Sequence, residues 1–376
     1  MQISRLKIQN FRNHQENAVE WAPHLNVITG PNGAGKTSLI DAIHYLCMSR
    51  SFVTSSDSYT IHSGQTYFMI KGNFSGEIRS DFEVSLNYSR GEGKKIFVND
   101  GPLNRLSDLI GMVPVVVLSP DDKKLTREGP AERRAYLDSF ISQISHQYLR
   151  DLVDYRRIRK QRNTLLQQYS GAHHLLEMYL EPWNKQLVEV GSRIVAKRFE
   201  VLENFKKYLD QDYAMISGMD LSTNLEYKTF CKPSVDPKNI EELYYKALDK
   251  HFEKEMEREQ TLVGPHRDEV VFFLGEHELR NFGSQGQHRL FAVSLKLAQL
   301  HYYSDELDDF PIFMLDDVFG DLDPQKTKVL LQALKAHKGQ VFITAANPVP
   351  FEDFIEFDGE RNQFFRVENG DIKSIF

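Results

Sequence analysis

The sequence predicts an α/β fold that is divided along the chain by an inserted, mainly helical segment. Strand-like and helical runs alternate over residues 1–120 and again from 260 to 376. Between them, residues 131–212 contain one proline and two glycines, and leucine and long charged or amide side chains dominate, as in long helices. We therefore predict one α/β domain formed by residues 1–120 and 260–376, with a helical arm at 121–259 inserted into it.

The composition is that of a globular protein of about two or three domains. The 376 residues are 41% hydrophobic and 26% charged, and the two cysteines, Cys47 and Cys231, offer neither a disulfide framework nor a CxxC metal site. A net charge of −7 excludes a uniformly basic nucleic-acid coat, so any such contact needs a local patch. No apolar run approaches the roughly 20 residues of a membrane span, and no signal peptide precedes the first strand. We expect a cytoplasmic protein without a membrane partner.

The individual elements follow from hydrophobic periodicity, which differs between strands and helices. The predicted strands lie within residues 1–30, ending with Leu25–Thr29, and at 67–98, 113–118, 270–274, 312–315 and 340–344. The predicted helices lie at 37–48, 131–169, 239–259, 287–303 and 324–336, with one or more further helices within 173–212. A turn is expected at Ser170–Gly171, between the helices of the arm.

The strongest chemical signal is a glycine-rich loop that joins a predicted strand to a predicted helix. Its residues fit the pattern GxxxxGK[ST] and are Gly30, Pro31, Asn32, Gly33, Ala34, Gly35, Lys36 and Thr37. Glycines let backbone N–H groups turn around phosphate oxygens, and the helix N-terminus adds its positive dipole end. We expect Lys36 to neutralise the β- and γ-phosphates of ATP and the Thr37 hydroxyl to bind Mg²⁺.

A second signal is a buried strand that ends in two acids. Ile312–Leu315 are apolar, and Asp316 and Asp317 follow at the carboxyl end, where nucleotides bind in open α/β sheets. We expect Asp316 to hold Mg²⁺ directly or through water. We expect Asp317 to be catalytic, because it can orient or deprotonate the water that attacks the γ-phosphate. Taken alone, the two acids also fit a solvated turn after an ordinary strand.

A turn of small and amide residues precedes the helix predicted at 287–303. Its residues are Ser284, Gln285, Gly286 and Gln287. Such a turn at a helix N-terminus can bind an anion. The same residues also fit a plain helix cap, in which Ser284 and Gln287 form a capping box, and both interpretations stay open at this point.

These features follow one another in the order found in ABC-type ATPase heads: loop, helical insertion, turn, acid-ending strand and then Gly320–Asp323. The chain resembles that architecture, and the resemblance implies an ABC-type P-loop ATPase head with an inserted helical arm. It identifies Ser284–Gln287 with the signature motif and Asp323 with the D-loop. In such heads the signature completes the site of a second subunit, so the resemblance implies an ATP-dependent homodimer.

Five segments are similar to the SMC-like branch of these ATPases and, closely, to the RecF family. They are Lys7–His14, Leu118–Asp122, Gly129–Arg134, Thr261–Asp268 and Ser284–Gln287. The resemblance implies a recombination and repair ATPase with weak, DNA-stimulated activity that binds DNA at gaps between single- and double-stranded regions. It also implies that the protein works with RecR and RecO to help load the recombinase RecA.

Four positions bear on how this resemblance applies. Arg12 and Asn13 are similar to the family's nucleotide-contacting pair, although Arg12 also fits a surface charge after an edge strand. Asp317 stands where many ABC ATPases have glutamate, and its shorter side chain favours slow turnover. Ala345 stands where transporters often have a histidine, which argues against a histidine sensor of the γ-phosphate.

A cluster of basic residues in the arm is the candidate DNA contact. The cluster, called here the arm patch, comprises Arg156, Arg157, Arg159, Lys160 and Arg162. On a helix these positions spread over much of the circumference, so an ordinary solvated helix is the alternative interpretation. The patch would contact phosphates without reading sequence, and binding would weaken steeply as the salt concentration rises.

Three other functions compete with a DNA-repair ATPase. A transporter ATPase subunit fits the phosphate site, but it fits poorly the long insertion and the N-terminal segment. A P-loop kinase for a small molecule does not explain the signature or the D-loop. A nearly inactive scaffold would bind DNA equally well with ATP or ADP.

Two interpretations stay open for His266 and Arg267, a position near the nucleotide or a structural turn.

Overall fold

The computed structural model describes residues 1–169, 173–219, 221–232, 236, 239–346, 351 and 354–375. The chain divides into two compact units. The first unit comprises Met1–Asp122, Asp212–Met219 and Val293–Phe376. The second unit comprises Lys123–Gln211 and Asp220–Ala292.

Most predicted elements are present within a few residues of their expected bounds. The strands are β1 (Gln2–Phe11), β2 (His14–Glu20), β3 (Leu25–Thr29), β4 (Tyr67–Ser75), β5 (Phe82–Ser89), β6 (Gly93–Val98), β7 (Gly101–Pro102), β8 (Val115–Leu118), β9 (Thr223–Lys228), β10 (Glu269–Leu274), β11 (His277–Glu278), β12 (Ile312–Asp316), β13 (Val341–Ala345), β14 (Asn362–Glu368) and β15 (Asp371–Ser374). The helices are α1 (Lys36–Met48), α2 (Lys123–Arg127), α3 (Pro130–Ile144), α4 (His146–Gln168), α5 (His173–Ser217), α6 (Ile240–Arg258), α7 (Leu279–Phe282), α8 (Gln285–Glu306) and α9 (Pro324–Ala336).

The first unit contains a mainly parallel sheet in the order β15-β14-β3-β13-β12-β8. Every residue of β3, β12 and β13 is buried, which explains their nearly continuous apolar sequences. Strand β13 runs parallel to both β3 and β12, so these three strands end at the same edge of the sheet. That edge carries the glycine-rich loop after β3 and the two acids at the end of β12.

A second, mainly antiparallel sheet of the same unit has the order β2-β1-β4-β5-β6-β7. One face of this sheet belongs to a hydrophobic core that it shares with helix α1 and with the parallel sheet. Helix α1 is buried along nearly its whole length, because apolar residues surround its axis instead of forming one stripe. This burial fixes the helix, and with it the end of the loop that precedes it.

The second unit combines the arm helices with a three-stranded sheet in the order β11-β10-β9. Strand β10 pairs with β9 of the arm along its whole length, which groups residues 260–292 with the arm helices. The domain division expected from the sequence placed 260–292 with the α/β domain instead. Strand β9 has alternating burial, yet it was absent from the predicted elements.

The helix expected at 131–169 is two helices, α3 and α4, because the chain bends at Ser145. Ser145 has an extended backbone, and its hydroxyl accepts a hydrogen bond from the N–H of Tyr148, so it caps α4. Residues 173–217 form one helix of 45 residues that includes Pro182. The turn expected at Ser170–Gly171 lies outside the described residues. Among the described helices, none is long and apolar enough to cross a membrane.

Candidate nucleotide site

The glycine-rich loop runs from the end of β3 to the start of α1, as its spacing predicts. Gly30, Gly33 and Gly35 have φ angles of 146°, 81° and 111°, which favour glycine over any residue with a side chain. At Gly30 space is also limiting, since a Cβ atom there would lie 2.1 Å from the carbonyl oxygen of Val367. The backbone of the loop therefore favours glycine at all three positions, and at Gly30 the neighbouring strand β14 also excludes a side chain.

Lys36 lies across the loop that it terminates. Its ammonium group donates to the carbonyl oxygens of Gly30 at 2.8 Å and Pro31 at 3.0 Å. Burial lowers the pKa of Lys36, while the charges of Asp317 and Asp316 oppose that shift. An ammonium group has three N–H donors, so the two carbonyl acceptors leave one for an anionic ligand.

Asp316 and Thr37 meet although 279 positions separate them in the sequence. The Thr37 hydroxyl donates to Oδ1 of Asp316 at 2.8 Å, and the Thr344 hydroxyl donates to the same oxygen at 2.7 Å. Burial raises the pKa of Asp316, and the hydrogen bonds from Thr344 and Thr37 oppose that shift. The carboxylate is thus oriented by two hydroxyl groups that donate to the same oxygen.

Thr344 was not among the residues singled out from the sequence. It lies directly opposite Asp316 in the parallel pairing of β12 and β13. Its backbone carbonyl and its hydroxyl both accept from the N–H of Asp317, each at 3.1 Å. The only sequence signal was its position at the end of a buried strand, and its partner depends on the register between two strands.

Asp317 is exposed at the end of β12, in contrast to Asp316. Its φ angle of 49° is left-handed, a conformation that aspartate and asparagine tolerate better than most residues. One carboxylate oxygen accepts from the N–H of Ala346 at 3.3 Å. The backbone turn therefore directs the second acid away from the strand and towards solvent at the edge where the loop lies.

The predicted pair Arg12 and Asn13 lies beside the loop, in the turn between β1 and β2. The Asn13 amide donates to the carbonyl oxygen of Gly33 at 2.7 Å. The Arg12 guanidinium forms an ion pair with buried Asp41 of α1 at 2.8 Å and also donates to Ser51. Burial raises the pKa of Asp41, and Arg12 opposes that shift. Arg12 is thus more than a surface charge, because it ties the turn to helix α1.

The turn at Ser284–Gln287 has the geometry of a capping box. The Ser284 hydroxyl accepts from the N–H of Gln287 at 3.2 Å, and the Gln287 side chain accepts from the N–H of Ser284 at 2.8 Å. Gln285 and Gly286 are exposed, as is Ser284. This turn belongs to the second unit and the loop to the first. Asp323, the residue identified with the D-loop, caps α9 by accepting from the N–H of Lys326.

The arm patch lies on helix α4. Arg156 and Arg157 have 67% and 70% of their side chains exposed, Lys160 is exposed, and Arg159 is half-buried. Arg156, Arg157 and Lys160 therefore share one exposed face of the helix, since Lys160 follows Arg156 by four positions and Arg157 by three. Arg157 is paired only with exposed Asp154 of the same helix at 3.2 Å in the part of the chain that is described.

Arg162 corrects the predicted arm patch, because it is not at the surface. Its side chain is 1% exposed and pairs with fully buried Glu255 at 2.6 Å. The same guanidinium donates to Asn184 and to Thr261. Arg162 is therefore a structural cation that joins three segments of the second unit, and it is withdrawn as a DNA contact.

His266 has a similar internal role within the second unit. Its Nδ1 lies 2.8 Å from the hydroxyl of Tyr155, and its Nε2 lies 3.0 Å from the carbonyl oxygen of Thr261. Burial lowers the pKa of His266 to about 3, so the ring is neutral at neutral pH. These contacts favour the structural interpretation of the turn at Gly264–Pro265. Arg267 next to it donates to the side chain of Gln260.

Comparison with known proteins decides the family. A family model described as the RecF/RecN/SMC N terminal domain matches residues 2–366. A Salinibacter ruber protein named DNA replication and repair protein RecF is 40% identical over 375 residues, covering 98% of this chain and 91% of the relative. The chain belongs to the RecF family. A Chloroherpeton thalassium protein of the same name is 38% identical, over 94% of this chain and 97% of that protein.

Solved structures match the fold over its whole length. The structure of a recombination mediator protein RecF with ATP, in the RecFOR pathway, is 30% identical, with a TM-score of 0.90, covering 100% of this chain and 99% of that one. An Smc head bound to a winged-helix domain of ScpA is 14% identical with a TM-score of 0.58, over 100% and 97% of the two chains, and it shows the fold alone. The predicted fold class, an ABC-type P-loop ATPase head with a helical arm, is confirmed.

Proposed function

We propose that this chain is a cytoplasmic, ATP-dependent DNA-binding protein of recombinational repair, with weak ATPase activity that DNA stimulates. In this proposal ATP favours a homodimer, and the dimer binds gapped DNA and helps load RecA together with RecR and RecO. Its relatives support this role, since they are named DNA replication and repair proteins and one solved relative is a mediator of the RecFOR pathway with ATP. In the domain division predicted from the sequence, residues 1–120 and 260–376 act as the ATPase and residues 121–259 as the arm.

The contact between Thr37 and Asp316 is the single observation that carries the ATPase part. It places a hydroxyl and a carboxylate oxygen 2.8 Å apart at the start of α1, beside the loop. Hydroxyl and carboxylate oxygens are donors that Mg²⁺ prefers, and protein magnesium sites of this kind use one or two such groups together with substrate phosphates. Among the described residues, no group of three or more His, Cys, Asp or Glu side chains offers an alternative metal cage. Bound Mg²⁺ would neutralise charge that develops on the phosphates.

The remaining roles are assigned to this chain's own residues. Gly30–Thr37 bind the phosphates, Lys36 neutralises them, and Asn13 and Arg12 fix the neighbouring turn. Asp317 orients or deprotonates the attacking water, and its short side chain keeps hydrolysis slow. Ser284–Gln287 and Asp323 act on the nucleotide of the second subunit. Ser284, Gln285, Gly286 and Asp323 are exposed, which is consistent with such a role, since a partner can reach them.

In this proposal ATP binding favours the dimer, and ATP hydrolysis favours the separate subunits. ATP bridges the loop of one subunit and the signature of the other, so it binds the dimer better than the separated subunits. Loss of the γ-phosphate removes those contacts and returns the subunits to separation. DNA that contacts both arms would bind the dimer with two patches at once.

The direct test is fluorescence anisotropy with a labelled gapped duplex, in the presence of ATP, ADP or no nucleotide, using wild-type chain and Lys36→Met. Tight binding only with ATP, lost in the variant, is the expected result. Equal binding in all three nucleotide states would replace the proposal by a DNA-binding scaffold. Absence of binding at low salt in every state would favour a transporter subunit or a kinase. A permease that co-purifies with the chain would identify the transporter subunit, and phosphate transfer to a metabolite would identify the kinase.

Replacing Asp317 by asparagine is expected to separate hydrolysis from binding. Asparagine tolerates the left-handed backbone, so the turn should survive while the carboxylate is lost. We expect the rate of phosphate release to fall by about 100-fold, within the range typical of general-base groups. The affinity for ATP, measured by calorimetry, should stay near the wild-type value. Asp371→Asn, at an exposed acid of β15 in the same unit, is the matched control. Unchanged hydrolysis in Asp317→Asn would remove Asp317 from the mechanism.

Charge reversal in the arm patch is expected to weaken DNA binding and to reduce its salt dependence. The change is Arg157→Glu with Lys160→Glu, because both side chains are exposed on one face of α4. Loss of two phosphate contacts should reduce the slope of log affinity against log salt by about 2. Lys246→Glu with Lys250→Glu on α6 changes the net charge equally and is the control. An equal loss in both variants would mean that net charge acts, and not the arm patch.

A further inference from the structure

Residues of two hairpin turns form hydrogen bonds with the backbone of the glycine-rich loop. The turn between β14 and β15 contains Gly370, whose N–H donates to the carbonyl oxygen of Ala34 at 3.1 Å. The turn between β1 and β2 is followed by His14, whose Nε2 lies 3.0 Å from the carbonyl oxygen of Gly35. The same Gly35 oxygen accepts from the N–H of Leu39 at 3.2 Å, the first hydrogen bond of α1. Two successive carbonyls of the loop are thus anchored to its surroundings.

Anchoring these carbonyls also fixes the direction of the neighbouring N–H groups. A trans peptide is planar, so its carbonyl oxygen and its N–H point in opposite directions. When the oxygens of Ala34 and Gly35 point at the hairpin turns, the N–H groups of Gly35 and Lys36 point to the other side of the loop. Successive N–H groups that converge in front of a helix form the concave donor set that binds phosphate oxygens.

The hydrogen bonds around His14 select one state of its ring. Both ring nitrogens face carbonyl oxygens, Gly35 at 3.0 Å and Gly370 at 3.1 Å, and a neutral imidazole has only one N–H to donate. The Asn17 amide lies 2.9 Å from Nδ1 and 3.0 Å from the Gly370 oxygen, so its two N–H groups serve both acceptors. Nδ1 is then an acceptor, and the single ring N–H is on Nε2, directed at Gly35. Burial lowers the pKa of His14, which keeps the ring neutral.

There is no space for a different arrangement at this contact. A Cβ atom on Gly35 would lie 2.8 Å from Nε2 of His14, and a Cβ atom on Gly370 would lie 2.9 Å from the carbonyl oxygen of Asn13. His14 itself is completely buried. The two turns and the loop are therefore packed backbone against backbone, and the imidazole between them reaches both Gly35 and Gly370.

We propose that His14 is a positioning residue for phosphate binding, which Asn17 holds in the Nε2–H tautomer so that it anchors Gly35 and directs the N–H of Lys36 at the phosphates. This inference rests on the proposed ATP-binding function and deepens it. His14 touches no phosphate, and it acts through the loop backbone. It also makes the phosphate site depend on both ends of the first unit, since the β1–β2 and β14–β15 turns meet on this one ring.

The test compares ATP affinity in full-length His14→Leu, His14→Gln and His337→Leu, measured by calorimetry with Mg²⁺ and ATP. His14→Leu should weaken binding by about tenfold, the effect of losing about one well-placed hydrogen bond. His14→Gln keeps an N–H donor and should recover most of that loss. His337 is also buried and also faces a carbonyl oxygen, that of Pro311 before β12, so His337→Leu should lose stability but keep wild-type affinity.

Thermal unfolding without nucleotide and ¹⁵N shifts of the ring complete the test. A purely structural role predicts that His14→Leu and His337→Leu both lower the melting temperature and both bind ATP like the wild type, which would overturn the inference. Ring shifts that place the proton of wild-type His14 on Nδ1 would overturn it as well. A wild-type chain that binds no ATP would overturn the proposed function and the role of His14 with it. If the wild-type chain binds ATP and His14→Leu binds it with the same affinity, only the role of His14 is overturned.

Discussion

Lys36→Met is expected to weaken ATP binding by at least about 100-fold, since charge-assisted hydrogen bonds contribute about 1.5–3 kcal/mol each and the loss of two phosphate contacts costs about 3–6 kcal/mol. Methionine keeps most of the length of lysine and its apolar stem, so the loop should keep its fold. The ammonium group of Lys36 is buried against carbonyl oxygens and faces the charges of Asp316 and Asp317. Removal of that cation leaves the two carboxylates to repel the phosphates, which adds to the loss.

The measurement is calorimetric titration with ATP and Mg²⁺, repeated with ADP. Lys373→Met is the matched control, because Lys373 is exposed in β15 of the same unit and loses the same charge. The control should bind like the wild type. If Lys36→Met and Lys373→Met bind ATP equally well, the glycine-rich loop is not the phosphate site, and the DNA-binding and dimer proposals lose their switch.

The loop was predictable from the sequence because its chemistry is local. Eight consecutive residues fix the glycines, the lysine and the hydroxyl, and the flanking strand and helix fix their surroundings. The meeting of Thr37 and Asp316 was predictable for a different reason. Asp316 ends β12, and Thr37 lies at the start of α1, after the loop that follows β3. Parallel strands end at one edge of an open sheet, so the two residues can meet although 279 positions separate them.

Residues whose partners depend on register or on packing were not predictable in this way. Thr344 meets Asp316 because β12 and β13 pair in one register, and a shift by one residue would turn its hydroxyl to the other face. His14 is identified only by the two carbonyls that it faces, one of them 356 positions away. His14 ends the segment Lys7–His14 that resembles the family, but neither that resemblance nor any spacing pattern gave a role to His14 or Thr344.

The arm shows the same limit for helices. The bend at Ser145 had a partial signal, a serine before a helical run, but the residue three positions later is Tyr148 and not the glutamate or glutamine of a capping box. Arg162 appeared to belong to a run of exposed cations, because a single helix shows only which residues are neighbours. Its burial depends on Glu255, 93 positions away on another helix.

Arg162→Met is expected to lower the free energy of unfolding by about 3–5 kcal/mol, the usual cost of leaving a buried charge without its partner. Glu255 is fully buried, and among the residues that the structure describes its carboxylate would keep only the N–H of Leu262 as a donor. The change also leaves the side chains of Asn184 and Thr261 without their guanidinium donor. Urea denaturation followed by circular dichroism measures the loss.

A second variant separates the charge from the packing. Arg162→Met with Glu255→Gln removes both charges and keeps a carbonyl oxygen for Leu262, so it should recover about half of the lost free energy or more. Arg157→Met on the same helix is the control and should change stability by less than about 0.5 kcal/mol, because its ion pair is exposed. If Arg162→Met is as stable as Arg157→Met, the buried pair contributes nothing to the fold.

The same two arginines should give the opposite result for DNA. Arg157→Met removes an exposed cation and should weaken binding of gapped DNA, whereas folded Arg162→Met, assayed well below its unfolding transition, should bind like the wild type. Each variant loses one positive charge, so net charge alone predicts equal effects on affinity. A larger loss of affinity in folded Arg162→Met than in Arg157→Met would mean that the arm binds DNA through its internal arrangement and not through the exposed face of α4.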